Sequence, residues 1–537
     1  MRRVFVCAAM VTLGLTAVST STAAAAGHAG GGLARIQHLV VIYEENHSFD
    51  NLYGLWPGVD GLAAPASATP NQTQVDQAGA AYACLKQNDP HLTSPSPLPA
   101  TCSDPRGFTS AFANEVFPID NYVPLDQPTR DLVHRYYQEQ YQIDGGRMDR
   151  FTTGSDAIGL TQGYYNTTNL PIYHYLTDPG APRSVVADHF FHAAFGGSFL
   201  NHMWLVAPQT PVFAGAANDG SGNDLHSVVD ANGMPTSYPL YASPLGLAAK
   251  DAPLTASCTP PAGRPATPPG VVCGDYAVNT IQPQSQPYSP TSIPSQRLPA
   301  LHTPNIGDEL SAGGVSWAWY SGGWDNAAGI TTGPGWTNGT TPGTCADPNH
   351  NPADTYPYCG DRLFQYHHQP FNYYANYAEF SAGRSHLQDE VDFRDQAAAG
   401  ALPAVSFVKP LGPDNEHPGY TDVASGDRHL VDLVKAIKAS PDWPTTAIVV
   451  TYDEHGGFWD HVPPPTAPGV SDQWGPGERV PTLIISPLLT KTGVTHISYD
   501  TTSILTTIER RWGVAALGTR DAAVDDFTAL FAGARRR

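Results

Sequence analysis

Apolar runs that each end in a polar cluster punctuate the chain. Ile36 to Tyr43 (IQHLVVIY), Leu402 to Val408, Ala447 to Val450 and Val480 to Pro487 (VPTLIISP) are rich in β-branched residues and show no polar alternation. That is the pattern of strands buried on both faces of an α/β sheet. Helical spacing runs through Asp131 to Asp149, where Leu132, Tyr136, Gln140 and Ile143 precede the stop at Gly145 and Gly146; it predicts a helix that carries His134. Pro171 to Leu176 reads as a short helix, Ser184 to Phe191 as a strand, Ile306 to Tyr320 as helix, turn and strand, and Ser503 to Trp512 as a closing amphipathic helix. Between these lie Pro-, Gly- and Ser-rich stretches near 55–115, 208–304 and 324–362 with little periodicity. They predict long surface insertions into one α/β fold.

The polar ends of the runs carry the candidate chemistry. Ala447 to Val450 leads into Asp453, Glu454, His455, Gly456, Gly457, Asp460 and His461, and Ile36 to Tyr43 leads into Glu44, Glu45, Asn46 and His47. Carboxylates at the carboxyl ends of buried strands sit where open α/β sheets bind ligands. Two such ends can converge on one cation. Leu402 to Val408 is followed by Lys409, Pro410 and then Asn415, Glu416 and His417. His367 and His368 are adjacent among aromatics, so both cannot face the core and at least one should point into a cleft. In AAFGGSFLNHMWLV (193–206) Ser198 opens a helical pattern after two glycines. Backbone N–H groups there suit an anion, but Ser is also a common helix cap. Both readings stand at this point. The G-x-S-x-G elbow is absent.

Size and charge narrow the class. The 537 residues exceed a usual single core, so the prior is two domains or one domain with insertions. Gly 51 and Pro 50 favour long connections. The formal charge of −21, from 28 basic and 49 acidic residues, argues against nucleic acid or an anionic membrane as partner. Met1 to Ala26 has a basic start at Arg2 and Arg3, an apolar stretch from Val4 to Val18 and small residues before Gly27. It reads as a signal peptide for secretion, with RRVF a weak hint of the twin-arginine route. With Cys7 in that leader, Cys84, Cys102, Cys258, Cys273, Cys345 and Cys359 remain, an even number suited to an oxidising compartment. They allow 15 connectivities. Their sequence-local grouping predicts Cys84 with Cys102, Cys258 with Cys273 and Cys345 with Cys359. Thiolate metal ligation is disfavoured because no C-x-x-C is present.

Together, EENHSFDNLYG (44–54), GGSFLNHMW (196–204), FQYHHQPF (364–371), NEHPGY (415–420), TYDEHGGFWDHVPPP (451–465) and GERVPTLIISP (477–487) resemble the phosphoesterase family of bacterial acid phosphatases and non-specific phospholipases C. The motifs stand in the family's order across nearly the whole chain. The resemblance implies an alkaline-phosphatase-like three-layer α/β/α sandwich, a single catalytic domain over 27–537. It also implies one divalent metal ion beside a phosphorylated nucleophile. By position Glu45, Asn46, Asp453 and Glu454 would be metal ligands and Ser198 the nucleophile, with His134, His367, His368 and His417 lining the phosphate pocket. His455, Asp460 and His461 would orient the ligands. Plant members place Thr-Pro-Asn-Arg where Ser198 begins its segment, so the chain looks more like the acid-phosphatase branch. It is also expected to lack the extra C-terminal β domains of the larger haemolytic members.

The chemistry implied is two-step hydrolysis of a phosphate ester. Ser198 attacks phosphorus, His367 or His368 protonates the departing oxygen, and water resolves the phosphoserine. Oxygen ligands suit Mg²⁺, Ca²⁺ or Mn²⁺. Cationic histidines below their ordinary pKa would give an acid optimum. The alternatives are a phospholipase C acting on phosphatidylcholine-like diesters and a secreted phosphate- or lipid-binding protein without turnover. No integral membrane association is expected.

Overall fold

Strands buried on both faces organise the chain. The computed structural model describes residues 32–63, 65, 68–86, 99–155, 158–213, 226–227, 276–294 and 297–532. The main strands, in chain order, are β1 (His38–Glu44), β2 (Ser184–Ala187), β3 (Trp317–Ser321), β4 (Leu387–Asp389), β5 (Val405–Lys409), β6 (Thr446–Tyr452), β7 (Thr482–Ile485) and β8 (Gly493–Thr495). They form an eight-stranded sheet in the order β4-β3-β5-β1-β6-β7-β2-β8. Pairing is parallel from β4 to β6, and β7 runs antiparallel to both β6 and β2. Val40, Val41, Ile42, Val449 and Val450 are fully buried, as the continuous apolar runs predict.

The main helices are α1 (Tyr136–Ile143), α2 (Pro171–Thr177), α3 (Ser198–Val206), α4 (Ile306–Ala312), α5 (Glu390–Ala399), α6 (Val423–Ala439) and α7 (Thr502–Trp512). Asp389 forms a capping box at the start of α5, and Gly400 ends it in the left-handed conformation. Asp422 caps α6, whose Leu430, Leu433, Val434 and Ile437 stripe is buried. Strand alternation separates the helices into two layers. Tyr43 points its hydroxyl at the Asn201 carbonyl of α3, which packs on α7. Its neighbour Glu44 feels the charges of His429 and Asp427 on α6 and Glu390 on α5, and α6 packs on both α2 and α5. Consecutive strand residues face opposite sides of a sheet, so the fold is the three-layer α/β/α arrangement.

Two expectations change. Residues 131–135 are not helical, so His134 precedes α1 instead of lying on it. The cause is packing: Gly457 sits directly against Leu132 and Val133, where its own Cβ would clash. β7 is antiparallel, so its polar partner cluster comes before it, at Glu478 and Arg479, and not after Pro487. Cys84–Cys102 and Cys345–Cys359 are joined. Cys258, Cys273 and the 1–26 leader lie outside the described residues.

Candidate active site

The register of the central strands builds the site. β1 and β6 pair with Glu44 opposite Tyr452, so the residues that follow, Glu45 and Asp453, leave the sheet side by side. Asp453 N donates to Glu44 O at 3.1 Å and Asn46 N donates to Asp453 Oδ1 at 3.0 Å. Glu454 N also donates to Asp453 Oδ1, at 2.8 Å. Asn46 has φ +62°, a left-handed conformation that Asn tolerates. Gly456 passes so close to Asn46 that a Cβ would sit 2.0 Å from its carbonyl oxygen. On the other side of β1, Ile42 pairs with Val408. That places Lys409 Nζ 3.0 Å from Tyr43 O and 2.6 Å from Glu45 Oε1.

α3 brings the serine. Gly197 is the cap and Ser198 the first helical residue, with no capping bond from its side chain. Its hydroxyl, 4% exposed with the rest of the residue, donates instead to Glu45 Oε2 at 3.0 Å. Of the two roles open in the sequence, the cap is thereby removed. Asn201 fixes the approach, accepting from Ala194 N at 2.9 Å and donating to Ala194 O at 2.8 Å and Gly196 O at 3.2 Å. Gly196 has φ +92° and lies where a Cβ would meet Tyr136 N at 2.4 Å.

The histidines ring this centre. His368 Nδ1 is 3.1 Å from Glu45 Oε1, and its ring stacks on His202 at 4.6 Å. His202 Nδ1 donates to Ser198 O at 2.8 Å, and its Nε2 lies 3.5 Å from Glu45 Oε1. His134 Nε2 is 3.2 Å from Asn46 Nδ2 and 3.5 Å from Glu454 Oε1. His417 stacks on Tyr420 and meets His134 edge-on at 6.1 Å. His367 is half-buried against His368. The structure thus brings together Ser198, Glu45, Asn46, Asp453, Glu454, His134, His367, His368 and His417. His455, Asp460 and His461 stand elsewhere, which corrects their reading as groups that orient Asp453 and Glu454. His455 turns toward Glu478 and Glu139. Asp460 and His461 join Arg479 and Asp50 in a buried ion-pair cluster.

Lys409 and His202 had no role in the sequence reading. His202 was within reach of it, four residues after Ser198 on one helix face. Lys409 was not, because only the β1–β5 register places it.

Electrostatics favour a cation here. Burial, then the Asp453 charge, push the Glu45 and Glu454 carboxyls well above the carboxylate range. Asn46 Oδ1, Asp453 Oδ2 and Glu454 Oε1 are buried with no hydrogen-bond donor among the described residues. Such orphaned oxygens are costly unless something positive meets them, and they are hard donors of the kind Mg²⁺, Ca²⁺ or Mn²⁺ takes. Glu45, His202 and His368 also offer ligand atoms within 4.8 Å of one another. Burial pulls the His367 imidazole down to about 3 and that of His417 to about 4, and holds His202 and His368 well below the ordinary value. Burial thus works against the cationic form of His367, His368 and His417, the form on which an acid optimum would rest.

Fold and site together define a strand-end carboxylate centre facing a helix-borne serine. The chain belongs to the phosphoesterase family, whose profile matches residues 36–515. It is similar to Non-specific phospholipase C6 of Arabidopsis thaliana, 34% identical over 164 residues that make up 25% of this chain and 31% of the plant protein. It is 36% identical to Phospholipase C B of Mycobacterium tuberculosis (strain H37Rv) over 26% of this chain and 32% of that one. The matched stretch thus spans about a third of either relative. Phospholipase C A of the same strain aligns over 94% of this chain and 79% of its own, at 24% identity. Among solved structures, an alkaline phosphatase superfamily protein from Vibrio parahaemolyticus matches at 14% identity and TM-score 0.21, over 41% of this chain and 50% of that one.

Proposed function

We propose that the chain hydrolyses phosphoric esters by transferring the phosphoryl group to Ser198 Oγ. The observation that carries this reading is the 3.0 Å bond from the Ser198 hydroxyl to Glu45 Oε2 at a site crowded with carboxylates and imidazoles. The Oγ–P bond forms as the bond from phosphorus to the departing alcohol breaks, and Glu45 Oε2 is the nearest acceptor for the serine proton. His417 meets His134 edge-on at 6.1 Å, and His367 lies against His368. They are placed to hydrogen-bond phosphoryl oxygens, and one of them that has first taken up a proton can pass it to the departing alcohol. A divalent cation held by Glu45, Asn46, Asp453 and Glu454 would stabilise the serine alkoxide and screen the phosphoryl oxygens. Water then cleaves the phosphoserine.

A second reading concerns the ester. The relatives named above carry phospholipase C names, which favours a diester substrate over the small monoester of an acid phosphatase. Export through the 1–26 leader belongs to the same proposal.

One set of assays tests these readings: rates on p-nitrophenyl phosphate and on its phosphocholine ester, with and without chelator, for the wild type and Ser198→Ala. The expected result is loss of about 10³-fold or more in the variant and loss in chelator. Preference for the phosphocholine ester selects the phospholipase reading. Undiminished turnover by Ser198→Ala would remove Ser198 from the reaction.

A further inference from the structure

A second buried cluster lies beside this centre and takes no part in the proposed reaction. Glu139 on α1, His192 just after Phe190–Phe191, His455 after β6 and Glu478 before β7 are all fully buried. The two imidazoles stack in parallel, 5.6 Å apart and 6° from coplanar. His192 Nδ1 is 2.9 Å from Ala194 O. His455 Nδ1 is 3.3 Å from Phe458 O and 2.6 Å from Glu478 Oε2. A carbonyl oxygen only accepts, so each Nδ1 carries a proton and each Nε2 is turned toward the Glu139 carboxylate. His192 Nε2 is 2.9 Å from Oε1 and His455 Nε2 is 3.9 Å from Oε2, yet neither Nε2 makes an aligned hydrogen bond among the described residues.

Against burial, the Glu139 charge lifts the His192 imidazole above its ordinary value, so either a proton or a metal ion can sit between them. Three fully buried donors converge here, however, and a proton on His192 leaves His455 Nε2 without a hydrogen-bond partner among the described residues. We propose that Glu139, His192 and His455 bind a second divalent ion of the zinc class, distinct from the oxygen-ligated ion of the serine site.

The donor set supports that ion. Two imidazole nitrogens and one carboxylate form a combination zinc takes. Neighbouring ligands of a tetrahedral ion with bonds near 2.0–2.1 Å stand roughly 3.3 Å apart, and these three residues offer ligand atoms within 4.8 Å of one another. A backbone carbonyl and a carboxylate on the far nitrogens are the partners that metal-bound histidines use to fix their tautomer. Gly477 packs against the pair, since a Cβ there would come 2.3 Å from both His192 Nε2 and Glu139 Oε1. Glu139 also holds the two segments that flank the reaction site, accepting from Gly196 N at 2.5 Å and Glu478 N at 3.1 Å. His455 directly follows Glu454. An ion at this cluster therefore ties the Ser198 loop to the Asp453–Glu454 strand end, a positioning role and not a catalytic one.

Cobalt substitution of the whole chain tests the site. The protein is stripped with chelator, titrated with Co²⁺ and followed by visible absorption, with Zn²⁺ added as competitor. The expected result is four-coordinate Co²⁺ bands that saturate at about one equivalent and vanish on adding Zn²⁺. They should be absent from His192→Gln and His455→Gln but retained in Asp453→Asn, which disables only the oxygen-ligated site. Zn²⁺ should also raise the Tm of stripped Asp453→Asn by a few degrees, as a ligand bound only by the native state does. If the histidine variants fail to fold, Asp453→Asn carrying His368→Gln as well, which also disables the Glu45, His202 and His368 donor set, decides alone. Bands and a Tm rise there support the site. Their absence there, or their survival in either folded histidine variant, leaves only a His192 imidazolium paired with Glu139 and overturns the proposal.

Discussion

At the scale of single residues, the site is a problem of charge. Glu45, Asp453 and Glu454 are fully buried, and Lys409 Nζ lies 2.6 Å from Glu45 Oε1. Removing one member of such a buried group leaves uncompensated charge, which costs more than the pair contributes. Lys409→Met should therefore lower the stability of the metal-stripped protein by about 3 kcal/mol, and adding Mn²⁺ should recover most of that loss. Denaturant unfolding of wild type and variant, with and without the ion, measures both changes. A deficit that Mn²⁺ leaves untouched would mean that lysine and ion do not share the same carboxylates. Glu45 and Asp453 were legible in the sequence because acids that directly follow apolar strands have few other uses. Lys409 was not: a lysine after a strand is ordinarily a solvated end, and only the pairing of Val408 with Ile42 turns it inward.

Among the elements, the loops after β1 and β6 are joined by a second electrostatic knot. Arg479 is fully buried, with Nε 2.8 Å from Asp460 Oδ1 and one terminal nitrogen 3.2 Å from Asp50 Oδ1. His461 Nδ1 closes the knot on Asp50 Oδ2 at 2.6 Å. Burial works against the His461 charge, but Asp50 outweighs it and lifts the imidazole to about 9. A base whose folded pKa is raised contributes its stability in full below its ordinary value of about 6.5, and loses it as pH climbs through 9. The gap in Tm between wild type and His461→Asn should be widest at pH 6 and should narrow steadily by pH 10. Melting curves at intervals across that range would show it, and a gap independent of pH would mean that His461 acts by packing alone. The motif flagged Asp460 and His461 as polar neighbours of the ligands. Their true partner, Arg479, comes from the strand that runs the other way, and strand direction is not written in an apolar run. The same limit explains His134: its helical spacing was real, but contact with Gly457 holds residues 131–135 out of the helix.

For the whole molecule, one sheet supports loops that carry side chains back to its carboxyl edge. The strands and two of the local cysteine pairs, Cys84 with Cys102 and Cys345 with Cys359, were readable because burial on both faces and short loop closure leave plain marks in sequence. The paths of the insertions left no such mark. The loop closed by Cys345 and Cys359 shows what this division of labour implies. It spans a separation of 14 residues, and closing a loop of this size stabilises by about 3 kcal/mol through the unfolded chain. It precedes His367 and His368, yet those histidines are seated independently of it. Gln369 next to them accepts from Trp319 Nε1 at 2.8 Å and donates to Ser321 Oγ at 2.9 Å, both on β3. Cys359 is itself held by its backbone, donating to Asn326 O at 2.8 Å and accepting from Asn338 Nδ2 at 3.3 Å. Replacing both cysteines with serine should therefore cost about 3 kcal/mol in denaturant unfolding while kcat on a p-nitrophenyl ester at 25 °C stays within about twofold, because the side chains nearest Ser198 take their positions from the sheet. A tenfold fall in kcat of the folded double variant would show that the insertion, and not β3, sets the place of His368.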